Sequence, residues 1–498
     1  MKQRIYDSRA QAVVDFEPRE PGRVGLYVCG PTVQSSPHIG HLRSALVYDQ
    51  MRRWFAATGH DVTLIRNVTD IDDKVLDNAR IGQEAGGSEA WFALAYRIER
   101  EFTAAYDALG VQAPTYEPRA TANIAEMVAL IERLIERGHA YPAADGSASV
   151  YFDTASWPDY GALTRQRRDQ MEDAADSEPM GKRDPRDFAL WKATKESEPE
   201  SASWPSPWGR GRPGWHIECS AMAQRYLGEE FDIHGGGLDL RFPHHENELA
   251  QSTAAGHAFA RFWVHNGLVN TGGQKMSKSL GNSLFAVNLL AQERPIVLRY
   301  YLGSAHYRST LDFSDRALSE AATSFGRIES YLARAKSYIK SIALQQSNSI
   351  TRAFSLPGQD PIDVMWPESF EAAMYDDFAV PKALAVLHST IRDGKNAIDA
   401  DDLLLAAQQY ATVLRMLDVL GINPDSEPWS SFSKDAQGSL RPNRTMGALD
   451  TLVAAFIAQR ADARAARDFA ASDAIRDTLQ NAGIALEDTP TGTRWSLT

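Results

Sequence analysis

Two short segments of this chain carry residue types suited to chemistry on a nucleotide phosphate. The first is His38-Ile39-Gly40-His41, which follows a predicted strand and opens a predicted helix. The free N–H groups and positive dipole end of a helix N-terminus favour phosphate, and Gly40 lets a flat base approach the backbone. The imidazoles of His38 and His41 can donate hydrogen bonds to phosphate oxygens. Taken alone, the two histidines are equally compatible with ordinary capping or surface residues.

The second segment is Lys275-Met276-Ser277-Lys278-Ser279, with glycines at 272, 273 and 281 around it. These glycines predict a loop that can move. The ammonium groups of Lys275 and Lys278 can neutralise the charge that builds on a departing pyrophosphate. A solvated basic loop is the simpler interpretation of this segment when it is considered without the first.

The chain has only two cysteines, Cys29 and Cys219. A structural disulfide is not expected in a large cytosolic protein, so two buried thiols are the simplest interpretation. A shared metal site is the alternative, and it depends on what else the sequence offers as ligands.

A helix predicted to begin near His244 supplies such ligands, because His244 and Glu248 lie four positions apart and share one face. With Cys29 and Cys219 they form a set of two thiols, an imidazole and a carboxylate that suits zinc. The neighbouring His245 would share its face with a leucine, which cannot ligate, so His244 is preferred. Ordinary polar residues at a helix N-terminus remain the alternative.

The elements around these residues predict a parallel sheet. Residues 24–30 alternate in the manner of a short strand, and 61–67 form the next strand. The helix between them runs to about Thr58 and has one apolar face. Strand, helix and strand at this spacing form a βαβ unit. Cys29 then lies at the C-terminal end of its strand, where open α/β sheets bind ligands.

The whole chain is expected to be α/β, with a Rossmann-like parallel-sheet catalytic domain that carries an insertion. A helical bundle and a small C-terminal α+β domain follow. The expected boundaries are 1–140 for the first catalytic half, 141–213 for the connecting insertion, 214–270 for the second half, 271–314 for the loop with the lysine segment and the region after it, 315–430 for the helical bundle and 446–498 for the small C-terminal domain.

Size and composition set limits on class and location. The 498 residues exceed one ordinary core, and 43% hydrophobic with 23% charged residues is typical of a globular protein. No apolar run could span a membrane, and Met1–Ala10 does not resemble a secretory signal, so a cytoplasmic protein is expected. The net charge of −13 argues against nucleic-acid binding by bulk attraction and leaves only a local basic face.

Together and in this order, the histidine and lysine segments resemble the two ATP signatures of class I aminoacyl-tRNA synthetases. The resemblance implies catalytic roles for His38, His41, Lys275 and Lys278, with ATP and Mg²⁺ as the nucleotide substrate and its ion. It also implies nucleotide contacts from residues within the two segments, which are Gly40, Met276, Ser277 and Ser279.

Most of the chain further resembles the cysteinyl-tRNA synthetase family, from residues 27–33 to the tail at 486–495. In that family the residues matching Cys29, Cys219, His244 and Glu248 hold one zinc ion that binds the substrate thiol. The implied amino-acid pocket comprises Thr69, Trp215, His234 and Asp239. The implied anticodon contacts are Arg464, Asp473, Asp488 and Trp495, for which a salt-bridged helical hairpin is the alternative. The resemblance also implies that 271–314 contact the tRNA stem and that the bundle at 315–430 binds tRNA. The implied partners are tRNA(Cys), L-cysteine and ATP, without a membrane, and a monomer is expected.

Two other functions compete with this interpretation. A ligase that joins cysteine to an amino sugar, as in mycothiol synthesis, resembles the same catalytic half but lacks a tRNA-reading tail. A synthetase-like RNA-binding protein without catalysis would be expected to lose a signature residue. This chain has the tail, both signatures and all four proposed ligands.

Overall fold

The computed structural model describes residues 1–174, 181–271, 274–275, 284–345, 366–434, 440–442 and, with gaps at 454, 462, 465–467, 482–483 and 490–491, 453–497. These residues form two compact units, Met1–Pro424 and Asp425–Thr498. The first unit contains the parallel sheet, an inserted sheet and most of the helices.

A four-stranded, entirely parallel sheet forms the centre of the first unit. Its strands are β3 (Arg23–Val28), β4 (Asp61–Arg66), β9 (Glu230–Gly237) and β10 (Phe259–Asn266). They lie in the order β10-β9-β3-β4. The interior of β9 is buried throughout, as expected for a sheet covered on both faces. All four strands end at one edge, so the residues that follow them lie close together.

Helix α1 (Ile39–Ala57) connects β3 to β4 and completes the predicted βαβ unit. Its apolar face is almost fully buried, including Val47, Met51, Trp54 and Phe55. The other helices of the catalytic region are α2 (Asp73–Glu84), α3 (Trp91–Ala108), α4 (Ile124–Glu136), α5 (Trp215–Leu227) and α6 (Glu246–Ala254).

The insertion between the two halves of the parallel sheet has its own antiparallel sheet. Its strands, in order, are β5 (Ala140–Pro142), β6 (Val150–Phe152), β7 (Phe188–Ala193) and β8 (Gly211–Pro213). The sequence suggested little regular structure in this region because its strands are short and its long connections are polar. The pairing is long-range, with Phe152 opposite Phe188, and local periodicity cannot reveal such pairs.

The remaining strands of the first unit are short and lie outside the central sheet. Near the N-terminus, β1 (Arg4–Asp7) pairs with β2 (Ala12–Asp15). After β10, a small sheet contains β11 (Val269–Thr271), β12 (Gln274–Lys275) and β13 (Leu311–Phe313).

Helices make up the last part of the first unit. They are α7 (Ala286–Gln292), α8 (Pro295–Ser304), α9 (Asp315–Gln345), α10 (Glu368–Tyr375), α11 (Val380–Asp399) and α12 (Leu403–Leu420). Helix α12 ends at Gly421, whose φ of 68° is the left-handed conformation that favours glycine. Among the helices that the structure describes, none is long and apolar enough to cross a membrane.

The second unit is small and mixed. It contains β14 (Phe432–Lys434) paired with β15 (Leu440–Pro442), helical residues within 453–464, helix α13 (Phe469–Asn481) and a hairpin of β16 (Ile484–Thr489) and β17 (Gly492–Leu497). Val453, Leu479 and Ile484 form a buried cluster between its helices and the hairpin.

Candidate metal centre and nucleotide site

The candidate metal centre lies where the strands of the parallel sheet end. Cys29 directly follows β3, and Cys219 lies in the second turn of α5. Glu248 is in the first turn of α6. His244 precedes α6 in a turn of π-helix at Arg241–His245, so the helix predicted from His244 begins two residues later than expected. Within this turn, Phe242 has an extended backbone conformation, with φ −140° and ψ 135°.

The ligand atoms of these four residues form one compact group, all within 4.8 Å of one another. Cys29 Sγ lies 3.7 Å from Cys219 Sγ and 3.3 Å from Glu248 Oε1. His244 Nε2 lies 3.0 Å from the same oxygen. Zinc bonds of 2.0–2.3 Å in a tetrahedron place ligand atoms about 3.3–3.8 Å apart. The two distances from Cys29 Sγ lie in this range, and the imidazole–carboxylate distance is about 0.3 Å shorter. The donor set fits zinc, and its spacing is close to that of a tetrahedral site.

A second group of possible ligands shares Cys29 and Glu248 with the first and adds His234 and His245. His245 Nε2 lies 3.3 Å from Cys29 Sγ, and His234 Nε2 lies 2.8 Å from Glu248 Oε2. Helical spacing made His245 appear to point elsewhere, but the irregular turn before α6 brings both histidines to the site. The group with two thiols matches the ligand preference of zinc better.

Electrostatics in the group favour charged ligands despite burial. Burial would raise the pKa of Glu248, but His234 and His244 hold it well below its usual value. Burial likewise opposes protonation of His244, yet Glu248 and Cys219 raise its pKa to about 10. For Cys219 the effect of burial is outweighed by Cys29 and His244, which lower its pKa to about 6. One thiolate is thus available before any metal arrives.

The thiol of Cys29 behaves differently. Burial and the neighbouring Cys219 raise the pKa of Cys29 well above its usual value. A metal ion would have to displace this proton, which is normal for a thiolate ligand.

Of the four residues expected to form the amino-acid pocket, two contact this group and a third contacts the residue before Cys219. The ring of Trp215 stacks on His244 with 4.2 Å between centroids. His234 is fully buried against Glu248. Thr69 is buried and donates to Glu218, the residue before Cys219, over 2.8 Å. Asp239 lies in the exposed turn that follows β9.

The histidine segment forms the N-terminus of α1. His38 is the N-cap residue, and its Nδ1 accepts from the Gly40 N–H at 3.2 Å. His41 Nδ1 accepts from the His38 N–H at 3.2 Å, so the two side chains form a reciprocal capping box. An Nδ1 that accepts leaves the ring proton on Nε2. The capping that the sequence suggested as an alternative to phosphate binding therefore occurs. It also leaves an N–H donor at Nε2 of each ring.

The lysine segment is only partly described. The backbone of Lys275 belongs to β12 and pairs with Asn270 of β11. Lys278, Met276, Ser277 and Ser279 lie outside the described residues.

In the second unit, Arg464 and Asp473 are exposed, and Asp473 lies 3.3 Å from Arg476. Asp488 and Trp495 belong to the β16–β17 hairpin.

Comparison with known proteins gives three family matches. Residues 15–323 match the class I (C) tRNA synthetase catalytic domain, and 369–423 match the DALR domain. Residues 446–495 match the cysteinyl-tRNA ligase anticodon binding domain. The first match covers more than half of the chain.

Full-length relatives and solved structures agree with these matches. The cysteine–tRNA ligase of Clavibacter sepedonicus is 62% identical over 497 residues, with 100% of this chain and 99% of the relative covered. That of Leifsonia xyli subsp. xyli is 60% identical, with both chains fully covered. The methionyl-tRNA synthetase of Mycobacterium tuberculosis, in complex with methionyl-adenylate, shares the fold at 16% identity and a TM-score of 0.53, over 80% of this chain and 90% of that one.

The same class I fold recurs in a structure described as a putative arginyl-tRNA synthetase from Campylobacter jejuni. Its TM-score is 0.52 at 12% identity, over 80% of this chain and 93% of that one. The parallel sheet agrees with this fold, and the helical region and small final unit occupy the segments that the other two family matches cover. The chain therefore belongs to the cysteinyl-tRNA synthetase family of class I aminoacyl-tRNA synthetases.

Proposed function

We propose that this chain attaches L-cysteine to tRNA(Cys) in two steps through a cysteinyl-adenylate. The observation that carries the proposal is the compact group of the half-buried Cys29 with the buried Cys219, His244 and Glu248 at the C-terminal edge of the parallel sheet. A metal ion held by such a group selects for a thiol. Cys29 follows β3, the same strand that leads into the histidine segment. Membership of the family supports the same reaction.

The four residues would hold one zinc ion, with Cys29 and Cys219 as thiolates and His244 and Glu248 as the other ligands. When bound, zinc supplies a soft Lewis acid that binds a thiolate in preference to a hydroxyl. This contact addresses a difficult discrimination, because serine and cysteine differ by one atom and a plain pocket separates such pairs poorly. Glu248 then also accepts from His234, which orients the carboxylate.

In the first step, a carboxylate oxygen of cysteine attacks the α-phosphorus of ATP, and pyrophosphate leaves. We assign the Nε2–H groups of His38 and His41, whose Nδ1 atoms cap the N-terminus of α1, to donate to the developing phosphate charge. Lys275 and Lys278 neutralise the pyrophosphate, assisted by Mg²⁺. Nucleotide contacts come from Gly40, Met276, Ser277 and Ser279.

The amino-acid pocket is formed by Thr69, Trp215, His234 and Asp239. The indole of Trp215 covers one face of His244 and so borders the thiol position. Asp239, exposed after β9, is proposed to bind the substrate ammonium group. The carboxylate is left facing the nucleotide, which the in-line attack requires.

In the second step, a ribose hydroxyl at the 3′ end of tRNA attacks the carbonyl carbon of the adenylate, and AMP leaves. The match of 446–495 to an anticodon binding domain supports tRNA over an amino sugar as the acceptor. We assign anticodon contacts to Arg464, Asp473, Asp488 and Trp495. The bundle at 315–430 is proposed to bind the tRNA body, and the protein is proposed to act in the cytoplasm as a monomer.

The choice of acceptor is tested by transfer from preformed cysteinyl-adenylate. Purified protein with ATP and labelled cysteine is offered either tRNA(Cys) or a glucosamine-based pseudodisaccharide. We expect label to appear in acid-precipitable tRNA and none in the amino sugar. Transfer to the amino sugar alone would support the rival ligase, and adenylate formation with no transfer to either would overturn the second step.

A further inference from the structure

A chain of hydrogen bonds links the two segments that carry the cysteines. The backbone N–H of Gly30 donates to Asn67 Oδ1 over 2.8 Å. Asn67 Nδ2 donates to Thr69 Oγ1 over 3.2 Å, and Thr69 Oγ1 donates to Glu218 Oε2 over 2.8 Å. Gly30 directly follows Cys29, and Glu218 directly precedes Cys219, so the chain of bonds begins and ends one residue from each thiol.

The linkage of hydrogen bonds from Gly30 to Glu218 is buried, and backbone hydrogen bonds of Thr69 hold it in place. Asn67, Thr69 and Glu218 are each 1% exposed. The Thr69 N–H donates to Pro31 O, and Thr69 O accepts from the Val33 N–H, both over 3.1 Å. Water is therefore poorly placed to replace any of these hydrogen bonds, and a lost partner leaves a buried polar group unsatisfied.

The linkage also depends on a close approach of two backbone segments at Gly30. A Cβ atom at this position would lie 1.6 Å from the carbonyl oxygen of Asn67. Only glycine permits the contact, which brings the end of β3 against the segment after β4. The close approach at Gly30 thus fixes Cys29 relative to Asn67. At the other end of the linkage, the hydrogen bond from Thr69 to Glu218 positions the segment that carries Cys219.

We propose that Glu218 is a positioning residue that sets the separation of the Cys29 and Cys219 thiols through Thr69 and Asn67. The inference rests on the proposed metal centre and adds a role for three residues outside its ligand set. The hydroxyl of Thr69 has one proton, which it donates to Glu218, and it therefore remains an acceptor for Asn67. Without the Glu218 carboxyl group, that proton loses its acceptor, and helix α5 loses this hydrogen bond to the segment after β4.

The test is a double-mutant cycle read as zinc affinity by chelator competition. Glu218→Met removes the acceptor at similar length, Thr69→Val removes the hydroxyl at equal shape, and the double variant combines them. Each single variant is expected to weaken zinc binding about tenfold, the low end for residues that support metal ligands. Because both variants break the same chain of hydrogen bonds, the double variant should bind zinc no more weakly than Thr69→Val alone.

Two matched variants separate positioning from general damage to the helix. Glu218→Gln keeps an oxygen that can accept from Thr69, so its zinc affinity should stay within about threefold of the original chain. Met222→Leu alters a fully buried residue of the same helix and should leave the affinity unchanged. The visible absorption of the cobalt-substituted protein should change in Glu218→Met and Thr69→Val and not in these controls, because it reports ligand geometry.

Additive losses in the double variant would overturn the inference, as they would show that Glu218 acts independently of Thr69, for example by direct contact with substrate. Equal zinc affinity of Glu218→Met and the original chain would overturn it as well. If Glu218→Met does not fold, the zinc affinity and the cobalt spectrum of Thr69→Val alone test the inference. An original chain that binds no zinc would overturn the proposed metal centre together with this inference, whereas zinc binding with an additive cycle overturns the inference alone.

Discussion

The Sγ atoms of Cys29 and Cys219 lie 3.7 Å apart, although 190 positions separate the two residues in the chain. Cys29 comes to this point because its strand ends at the open edge of the parallel sheet, and Cys219 because α5 packs beside that sheet. A distance of this size is that of two thiolates sharing one tetrahedral ion. It exceeds the S–S bond of a disulfide, about 2.0 Å, and both cysteines are free.

The first prediction concerns loss of one ligand. Cys219→Ser should lower zinc affinity by more than about 100-fold, beyond the range for supporting residues, because a hydroxyl is a poor substitute for a thiolate. Cysteine-dependent ATP–pyrophosphate exchange should fall with it, while binding of tRNA changes little. Atomic absorption and exchange assays measure both, with Met222→Leu as the control in the same helix. Unchanged metal content in Cys219→Ser would show that the ligand assignment is wrong.

The second prediction is that acid weakens zinc binding with a defined slope. At pH 7 the metal-free site holds two protons that zinc must displace. One is on Cys29, whose pKa is raised by burial and Cys219, and one is on His244, whose pKa is about 10 against the effect of burial. Cys219, with its pKa lowered to about 6, adds a third proton only below that pH.

The logarithm of the zinc binding constant should therefore rise by about two for each pH unit near pH 7, and by about three below pH 6. Chelator competition between pH 5.5 and 8 measures this slope, and calorimetry in buffers of different ionisation enthalpy counts the released protons directly. Binding that does not vary between pH 6.5 and 8 would contradict the proposed charges of Cys29 and His244.

The third prediction separates the two roles of His38. His38→Asn keeps an N-cap side chain, whereas His38→Ala removes it and should lower stability by about 1 kcal/mol. Both variants lose the Nε2–H donor and should slow cysteine activation by about 100-fold or more. Thermal unfolding and pyrophosphate exchange, measured on the same samples, distinguish the effects. Full activity in His38→Asn would limit His38 to capping.

The fourth prediction concerns a buried ion pair that joins the catalytic sheet to the helical region. Arg299 of α8 pairs with Asp49 of α1 and donates to the carbonyl groups of Gly110 and Leu420. Arg299→Met should lower the free energy of unfolding by about 3 kcal/mol, the low end of the cost of breaking a buried ion pair, because Asp49 keeps its ion pair with Arg53.

Urea unfolding measures this loss, and Arg316→Met provides the control. The side chain of Arg316 is 88% exposed in its pair with Glu320, so its removal should cost less than about 0.5 kcal/mol. A loss in Arg299→Met no larger than in this control would show that the junction does not depend on the pair.

The parallel sheet was predicted correctly from short signals, and the structure brings the four residues predicted as metal ligands close together. The βαβ pattern placed Cys29 at the strand end, and helical spacing paired His244 with Glu248. The same spacing argument was misleading for His245, since an irregular turn before α6, and not a regular helix, sets its direction. No local rule predicts such a turn.

Other residues of the site could not be found from sequence because their roles arise only from tertiary contacts. Glu218 has no pattern of its own, and its meaning depends on Thr69, which lies far away in the chain. The buried Glu246 likewise accepts from the backbone of Gly161 and Thr164 and ties α6 to the insertion. The antiparallel pairing of the insertion escaped detection for the same reason.

Amino-acid-dependent ATP–pyrophosphate exchange tests the central claim most directly, when all standard amino acids are compared on zinc-loaded and zinc-stripped protein. We expect exchange with cysteine and a preference over serine of more than about 1,000-fold, beyond the roughly 100-fold that a plain pocket achieves. Removal of zinc should abolish the cysteine signal, and its return should restore it. Exchange with serine within tenfold of cysteine, or cysteine exchange that survives removal of zinc, would contradict the account.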